Sequence, residues 1–244
     1  MLNCARGKRP VSQSDAGRFL FPGAKEGRPQ AKVKTPSRVL SAVSARDPEL
    51  GVFAIKPSGV PYEKLTADDI VVVDLDGNVV EGRARPSSDT PTHALLYRHF
   101  PEINGVVHTH STYATAWAQT CQPIPIYGTT HADHLAGDIP CTELMADEMI
   151  AGDYEVETGN QILACFREIS YTEVEMVLVA GHGPFTWGKT AEKALMNSEV
   201  LEELAKMALM TQLINPQTPR LKDTLIRKHY ERKHGKDAYY GQGT

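Results

Sequence analysis

Short runs of β-branched and aromatic residues, closed by turn signals, alternate along this chain with stretches of helical period. Val52–Ile55 is one such run, ended by Lys56-Pro57-Ser58-Gly59. Ile70–Asp74 is a second. Asp76-Gly77-Asn78 follows as a tight turn and Val79–Val80 returns, which predicts a hairpin. The polar stretch Arg85–Thr90 leads into a predicted helix over 91–100, with Thr90 placed to cap it and Pro91 suited to its first position. Gly105-Val106-Val107 reads as a short buried strand, and 112–120 as a helix starting beside it. Residues 123–126 read as an extended piece leading into a Gly/Thr-rich loop at 128–134. A helix is expected over 158–167, carrying Ile162, Leu163, Cys165 and Phe166, and a buried strand over 177–180. The longest helix spans 190–214, where Ala194, Leu201, Leu204, Ala205, Ala208 and Leu209 recur at three- and four-residue steps. A charged helix over about 221–233 follows. Hairpins and separated strands mixed with helices predict an α/β protein of the α+β type. Its central sheet is mostly antiparallel, with helices on both faces.

Composition changes this picture at one end only. Residues 1–40 are rich in Arg, Lys, Pro, Gly and Ser and hold no apolar period, so they are expected to be an atypical, disordered or loosely attached arm. The remainder, 41–244, is long enough for one substantial core or two small domains. A formal charge of -4 gives no electrostatic case for nucleic acid. No apolar run approaches the roughly 18 residues of a membrane helix, and the basic N-terminus has no apolar stretch behind it, as a secretory signal would. Cys4, Cys121, Cys141 and Cys165 are scattered without a C-x-x-C, which suggests reduced thiols and a cytoplasmic setting.

The chemistry concentrates in G-V-V-H-T-H-S at 105–111. On an extended backbone, His108 and His110 point to one face and form half of a metal site. His182 ends another predicted strand, between two glycines. Three neutral imidazoles suit a borderline divalent ion such as zinc and leave a position open for catalysis. Asp89 is a candidate fourth group, and a second pair, His131 and His134, competes for the ligand role. Lys56, Ser58 and Gly59 after one strand, and Ser87-Ser88 at a helix start, supply a cation, hydroxyls and backbone N–H groups suited to a phosphate. Asp133, between two histidines, and Tyr240, near the chain end, are candidate proton handlers.

With these residues assembled, the chain resembles the class II aldolase family, and within it the branch that epimerises L-ribulose 5-phosphate. The matching stretches are G-V-F-A-I-K-P-S-G-V at 51–60, P-S-S-D-T-P-T-H at 86–93 and V-V-H-T-H-S at 106–111. They continue with G-T-T-H-A-D at 128–133, E-T-G-N at 157–160, G-H-G-P-F-T-W-G-K at 181–189 and K-H-Y-E-R-K-H-G-K-D-A-Y-Y-G-Q at 228–242. The resemblance implies a three-layer fold and a zinc ion held by His108, His110 and His182, with Asp89 at the metal. It implies a phosphate cradle of Lys56, Ser58, Gly59, Ser87 and Ser88, with Asp133 and Tyr240 as the proton-transfer groups. It further implies a homotetramer with sites at its subunit interfaces, Tyr240 reaching in from a neighbour and His229 near the same interface. The substrate would be a phosphorylated ketopentose, with no nucleic acid or membrane partner. Aldolase members carry Glu where this chain has Asp89, and T-T-H-A-D and the A-Y-Y-G-Q tail also favour the epimerase branch.

One segment departs from the family. Its T-W-G-N-x-S segment, ahead of the first matched strand, is replaced here by Leu40-Ser41-Ala42-Val43-Ser44, and nothing before it resembles the family. A reading-frame difference or an alternative start upstream of about Ala42 would account for this, and would impair catalysis if the Asn contact is needed. The other readings are an aldolase releasing glycolaldehyde or lactaldehyde, an L-xylulose-5-phosphate-preferring enzyme of the same fold, a metal hydrolase using H-x-H, and an inactive assembly protein.

Overall fold

Strand β1, Leu40–Asp47, organises the sheet although its pattern is not strongly apolar. Ala42, Ser44 and Ala45 are buried, and small residues here let neighbours approach from both faces. A computed structural model describes residues 40–236 and Ala238. The arm expected over residues 1–40 therefore lies outside the described residues except for Leu40, which already belongs to β1. Tyr240 also lies outside them.

The remaining strands are β2 (Val52–Ile55), β3 (Val71–Asp74), β4 (Val79–Glu81), β5 (Gly105–Thr109), β6 (Met176–Val179) and β7 (Gly183–Gly188). Their order in one seven-stranded sheet is β4-β3-β2-β1-β5-β7-β6. Every adjacent pair is antiparallel. The β3–β4 turn forms as the Asp-Gly-Asn signal predicts. Gly77 takes φ 85°, and the Asp74 carboxylate accepts from the backbone N–H groups of Asp76 (2.9 Å) and Asn78 (2.8 Å).

Helices cover both faces, as expected. On one side α1 (Thr90–His99) and α5 (Tyr154–Cys165) pack over Phe53, Val73, Phe185 and Trp187. On the other, α2 (Thr112–Gln119) and the long α6 (Ala191–Ile214) pack over Met176 and Leu178. Shorter helices α3 (Thr129–Ala132) and α4 (Asp147–Ala151) lie in connections, and α7 (Asp223–His234) seats Ile226 against Ile126 and Ala132. Trp187, wholly buried, donates its indole N–H to the Tyr171 carbonyl at 2.7 Å, so its polar end is satisfied.

Four sequence expectations change. Thr90 is the first helical residue rather than the cap, because its hydroxyl donates to the Ser87 carbonyl at 2.6 Å; Asp89 holds the capping position. The stretch 128–134 contains the helical turn α3. Helix α5 starts at Tyr154, four residues earlier than expected. Finally, Gly183–Gly188 is a full strand rather than a turn after a strand end, so His182 sits in the β6–β7 hairpin connection. Among the described residues no helix is long and apolar enough to cross a membrane. Cys121, Cys141 and Cys165 are free thiols.

Candidate metal and substrate site

The site is built where β5 and β7 run side by side. His108 pairs with Phe185 across this ladder, and the His108 imidazole stacks on the Phe185 ring at 4.2 Å and 12°. Its Nδ1–H donates to the Pro184 carbonyl at 2.9 Å, which fixes the tautomer and leaves the Nε2 lone pair free. His110 follows just beyond the strand end, with its Nε2 3.0 Å from that of His108. His182 brings its ring to 4.7 Å from His108 and 5.1 Å from His110. One nitrogen from each of the three residues lies within 4.8 Å of the others. Gly183 permits this approach: a Cβ there would stand 2.9 Å from the Thr109 carbonyl oxygen and 3.5 Å from a His108 ring carbon. The fortress of backbone around His108 thus needs glycine next to the third imidazole.

The donors fit a metal ion. Burial first, then His182 nearby, holds His108 well below the ordinary histidine range, and burial lowers His110. Burial and the adjacent His110 bring His182 to about 4. All three are therefore neutral near pH 7, the state that binds metal. A tetrahedral ion with nitrogen ligands at about 2 Å sets those nitrogens roughly 3.3 Å apart, close to the spacing of the His108 and His110 donors. The rival pair is not part of the cluster. His131 is buried, with burial lowering its pKa to about 4 and Asp138 opposing, and His134 lies beyond the end of α3. The three-histidine set is the one metal-type cluster found among the described residues.

Beside the imidazoles opens a cleft of about 340 Å³ lined by Lys56, Ser58, Gly59, Ser87, Ser88 and Asp89 with the three histidines. Two loops make its second wall. The Ser58 N–H donates to the Arg85 carbonyl at 2.9 Å and the Ser87 N–H to the Lys56 carbonyl at 3.0 Å, so the two loops are tied together. Gly59, at φ 73°, turns the first loop, and helix α1 directs its N-terminus at the cleft from the second. Lys56 lies with its ammonium 5.3 Å from the Tyr62 ring centre. Burial lowers the Lys56 pKa and Asp89 opposes that shift. Asp89 itself is pushed up to about 6, chiefly by burial and then by Glu155, with Lys56 opposing. One cleft therefore joins a set of neutral metal donors, a carboxyl group and a cationic, hydroxyl-rich cradle.

Asp133 and His229 are not part of this lining. They are partners in a separate cluster, where Asp133 Oδ1 accepts from His229 Nδ1 at 2.9 Å and from Arg232 at 2.8 Å. Lys233 stands 3.3 Å from the other carboxylate oxygen. Burial raises the Asp133 pKa, but the bonds from His229, Arg232 and Lys233 outweigh it and hold the carboxyl below its ordinary range. Within one chain the expected proton-transfer group is thus apart from the expected metal ligands.

Sequence reasoning missed two neighbours of the cleft. Tyr154 reaches the His182 Nδ1 with its hydroxyl at 3.3 Å. Glu155 acts electrostatically on Asp89. They stand two (Glu155) and three (Tyr154) residues ahead of E-T-G-N, so the motif signal stopped short of them.

A seven-stranded antiparallel sheet with a three-histidine cleft at the end of its β5–β7 ladder defines a class. The chain belongs to the family described as the class II aldolase and adducin N-terminal domain, whose pattern matches residues 37–209. It is 54% identical over 200 residues to the L-ribulose-5-phosphate 4-epimerase UlaF of Salmonella paratyphi B, covering 82% of this chain and 88% of that protein. The protein of the same name from Salmonella typhi matches at the same identity and coverage. Among solved structures, an L-fuculose 1-phosphate aldolase superimposes with a TM-score of 0.66 at 27% identity, covering 78% of this chain and 84% of that one. An L-fuculose 1-phosphate aldolase from Glaciozyma antarctica shares the fold at a TM-score of 0.63 and 20% identity, covering 81% of this chain and 74% of that one.

Proposed function

We propose that this chain is a metal-dependent epimerase, with zinc as its ion, that interconverts L-ribulose 5-phosphate and D-xylulose 5-phosphate. The observation that carries this reading is the convergence of His108, His110 and His182 on one point beside the Lys56, Ser58 and Ser87 cradle. The name carried by the relatives at 54% identity supports the substrate.

The C4 hydrogen of such a ketose is not acidic, so simple deprotonation does not invert that carbon. Opening the C3–C4 bond does, because the aldehyde fragment formed from C4 and C5, glycolaldehyde phosphate, can turn its other face before the bond re-forms. His108, His110 and His182 would hold a divalent ion, which would supply Lewis acidity to stabilise the charge left on the three-carbon fragment. Lys56, the hydroxyls of Ser58, Ser87 and Ser88 and the N–H groups of Gly59 and Ser88 hold the C5 phosphate, and so keep the two-carbon aldehyde fragment in place while its carbonyl turns about the C4–C5 bond. Asp89 stands beside the ligands. The C4 hydroxyl proton leaves to one acid/base group when the bond opens. The alkoxide of opposite configuration takes a proton from a second group on re-addition. Asp133 and Tyr240 are assigned these roles, and His229 orients Asp133. The reading includes a homotetramer in which Tyr240 reaches in from a neighbouring subunit to complete the site; that Asp133 does not line the cleft within one chain is in keeping with a site shared between subunits. Residues 41–244 act as the catalytic domain, in the cytoplasm, within pentose catabolism.

Incubating zinc-loaded protein with L-ribulose 5-phosphate tests the proposal. D-xylulose 5-phosphate should accumulate to equilibrium. Free glycolaldehyde phosphate in stoichiometric amount would instead identify an aldolase, and no turnover would remove the assignment.

A further inference from the structure

His108 and His182 are treated differently by their surroundings. The Nδ1 of His108 has a rigid main-chain acceptor, the Pro184 carbonyl at 2.9 Å. His182 lies in a hairpin connection between Gly181, at φ 70°, and Gly183, where the backbone offers little restraint on the ring. The hydrogen-bond partner of its Nδ1 is the hydroxyl of Tyr154, at 3.3 Å, with ring centres 6.1 Å apart. We infer that Tyr154 is a positioning residue: its phenol oxygen accepts the Nδ1–H of His182 and so presents the Nε2 lone pair to the metal. This rests on the reading of the three imidazoles as a metal site.

The tautomer argument gives the direction. If Nδ1 accepted the tyrosine proton, Nε2 would carry the imidazole hydrogen and could not ligate. Ligation through Nε2 therefore makes Nδ1 the donor and Tyr154 the acceptor. The Tyr154 side chain is 37% exposed, and it is the helix carrying it that is anchored. Tyr154 is the first residue of α5, and the Glu155 carbonyl beside it accepts from the Thr92 hydroxyl of α1 at 2.6 Å. Further along, Gly159 lets α5 lie against Leu95 of α1, since a Cβ there would stand 2.6 Å from a Leu95 methyl. Helix α1 also carries Asp89 at its start and follows Ser87-Ser88. The same helix pair thus fixes the anion-binding wall and the orientation of the third imidazole. Histidine ligands are commonly oriented by such an outer partner, and losing one typically costs about 10- to 100-fold in metal affinity.

The test compares wild type, Tyr154→Phe and His182→Ala by titrating metal-free protein with cobalt(II) and with zinc against a competing chelator. The phenylalanine keeps the ring and removes only the acceptor. Tyr154→Phe should bind zinc about 10-fold or more weakly than wild type and shift the visible cobalt spectrum, while the metal-free variant unfolds at the wild-type denaturant midpoint. A zinc affinity within twofold of wild type, with an unchanged cobalt spectrum, would overturn the role of Tyr154 while leaving the metal site standing. Wild-type protein that takes up no metal, or matches His182→Ala in doing so, would overturn both readings.

Discussion

At the scale of single residues, the site rests on imidazoles that burial keeps neutral, and His93 shows what that costs. His93 is wholly buried on α1, where its Nδ1 lies 2.6 Å from the Ser44 hydroxyl, which in turn lies 2.8 Å from the Tyr97 hydroxyl. Its Nε2 has no hydrogen-bond partner. Burial lowers its pKa to about 3. The unfolded chain takes up a proton near pH 6.5 that the folded chain refuses until far lower pH. Stability from this group is complete above about 6.5 and is lost as pH falls toward 3, on the order of a few kcal/mol over the window. Urea midpoints of the metal-free protein should therefore drop between pH 7.5 and 4.5. His93→Gln should lower the midpoint at pH 7.5 and flatten that dependence; an equally steep fall would show that other groups set it. Residue chemistry of this kind is largely legible in sequence, because H-x-H and G-H-G-P announce their donors. What sequence could not supply is the choice between His182 and the His131/His134 pair by spacing alone. Only the β5–β7 ladder, which sets Phe185 opposite His108, makes that choice.

At the scale of elements, the strands with β-branched runs and the long periodic helix were readable, whereas β1 and β7 were not. Leu40–Asp47 carries Ser, Ala and Arg, and is made a strand by two hydrogen-bonded neighbours, β2 and β5, rather than by its own propensity. Gly183–Gly188 begins Gly-Pro, a turn signal that the ladder with β5 and β6 overrides. Caps are similarly non-local. Helix α2 starts directly after the H-T-H segment, and its first N–H groups are satisfied by a residue of α6. The Glu202 carboxylate accepts from the Tyr113 N–H at 2.9 Å and the Ala114 N–H at 2.9 Å. A negative group there also meets the positive end of the helix. Glu202→Ala should cost about 1–2 kcal/mol, read as a lower denaturation midpoint, and Glu202→Asp should not restore it because the shorter chain falls short of the amides. A variant as stable as wild type would mean that water replaces the carboxylate without loss. A companion expectation concerns Gly105, where an added Cβ would stand 2.4 Å from the Thr190 carbonyl oxygen and 2.5 Å from the Ala191 Cα. Both are backbone atoms that cannot swing aside, so Gly105→Ala should destabilise by about 1–3 kcal/mol or more and separate β5 from the start of α6.

At the scale of the whole molecule, the decisive fact is that the expected chemistry falls into two places. The metal donors and the phosphate cradle share one cleft, while Asp133, His229 and helix α7 form another cluster, from which the chain continues toward Tyr240. On the proposed reading a single chain carries two half-sites, which a cyclic assembly would oppose. The consequence is measurable by mixing. His182→Ala removes the metal half of a subunit and leaves its proton-transfer half, and Tyr240→Phe does the reverse. Each variant alone should be nearly inactive, with zinc retained by Tyr240→Phe. Co-refolded or co-expressed in equal amounts, they should form some sites that take the intact cleft from one subunit and the intact tyrosine from its neighbour. Random assembly around a ring gives that pairing at about one site in four, so activity should return to roughly a quarter of wild type. Activity that stays at the level of the separate variants, in mixtures shown to contain hybrid oligomers, would place both halves of the site in the same subunit. Asp133→Asn supplies the second coordinate. If Asp133 serves its own subunit's cleft, it should complement Tyr240→Phe but not His182→Ala; if it serves its neighbour's, the pattern reverses.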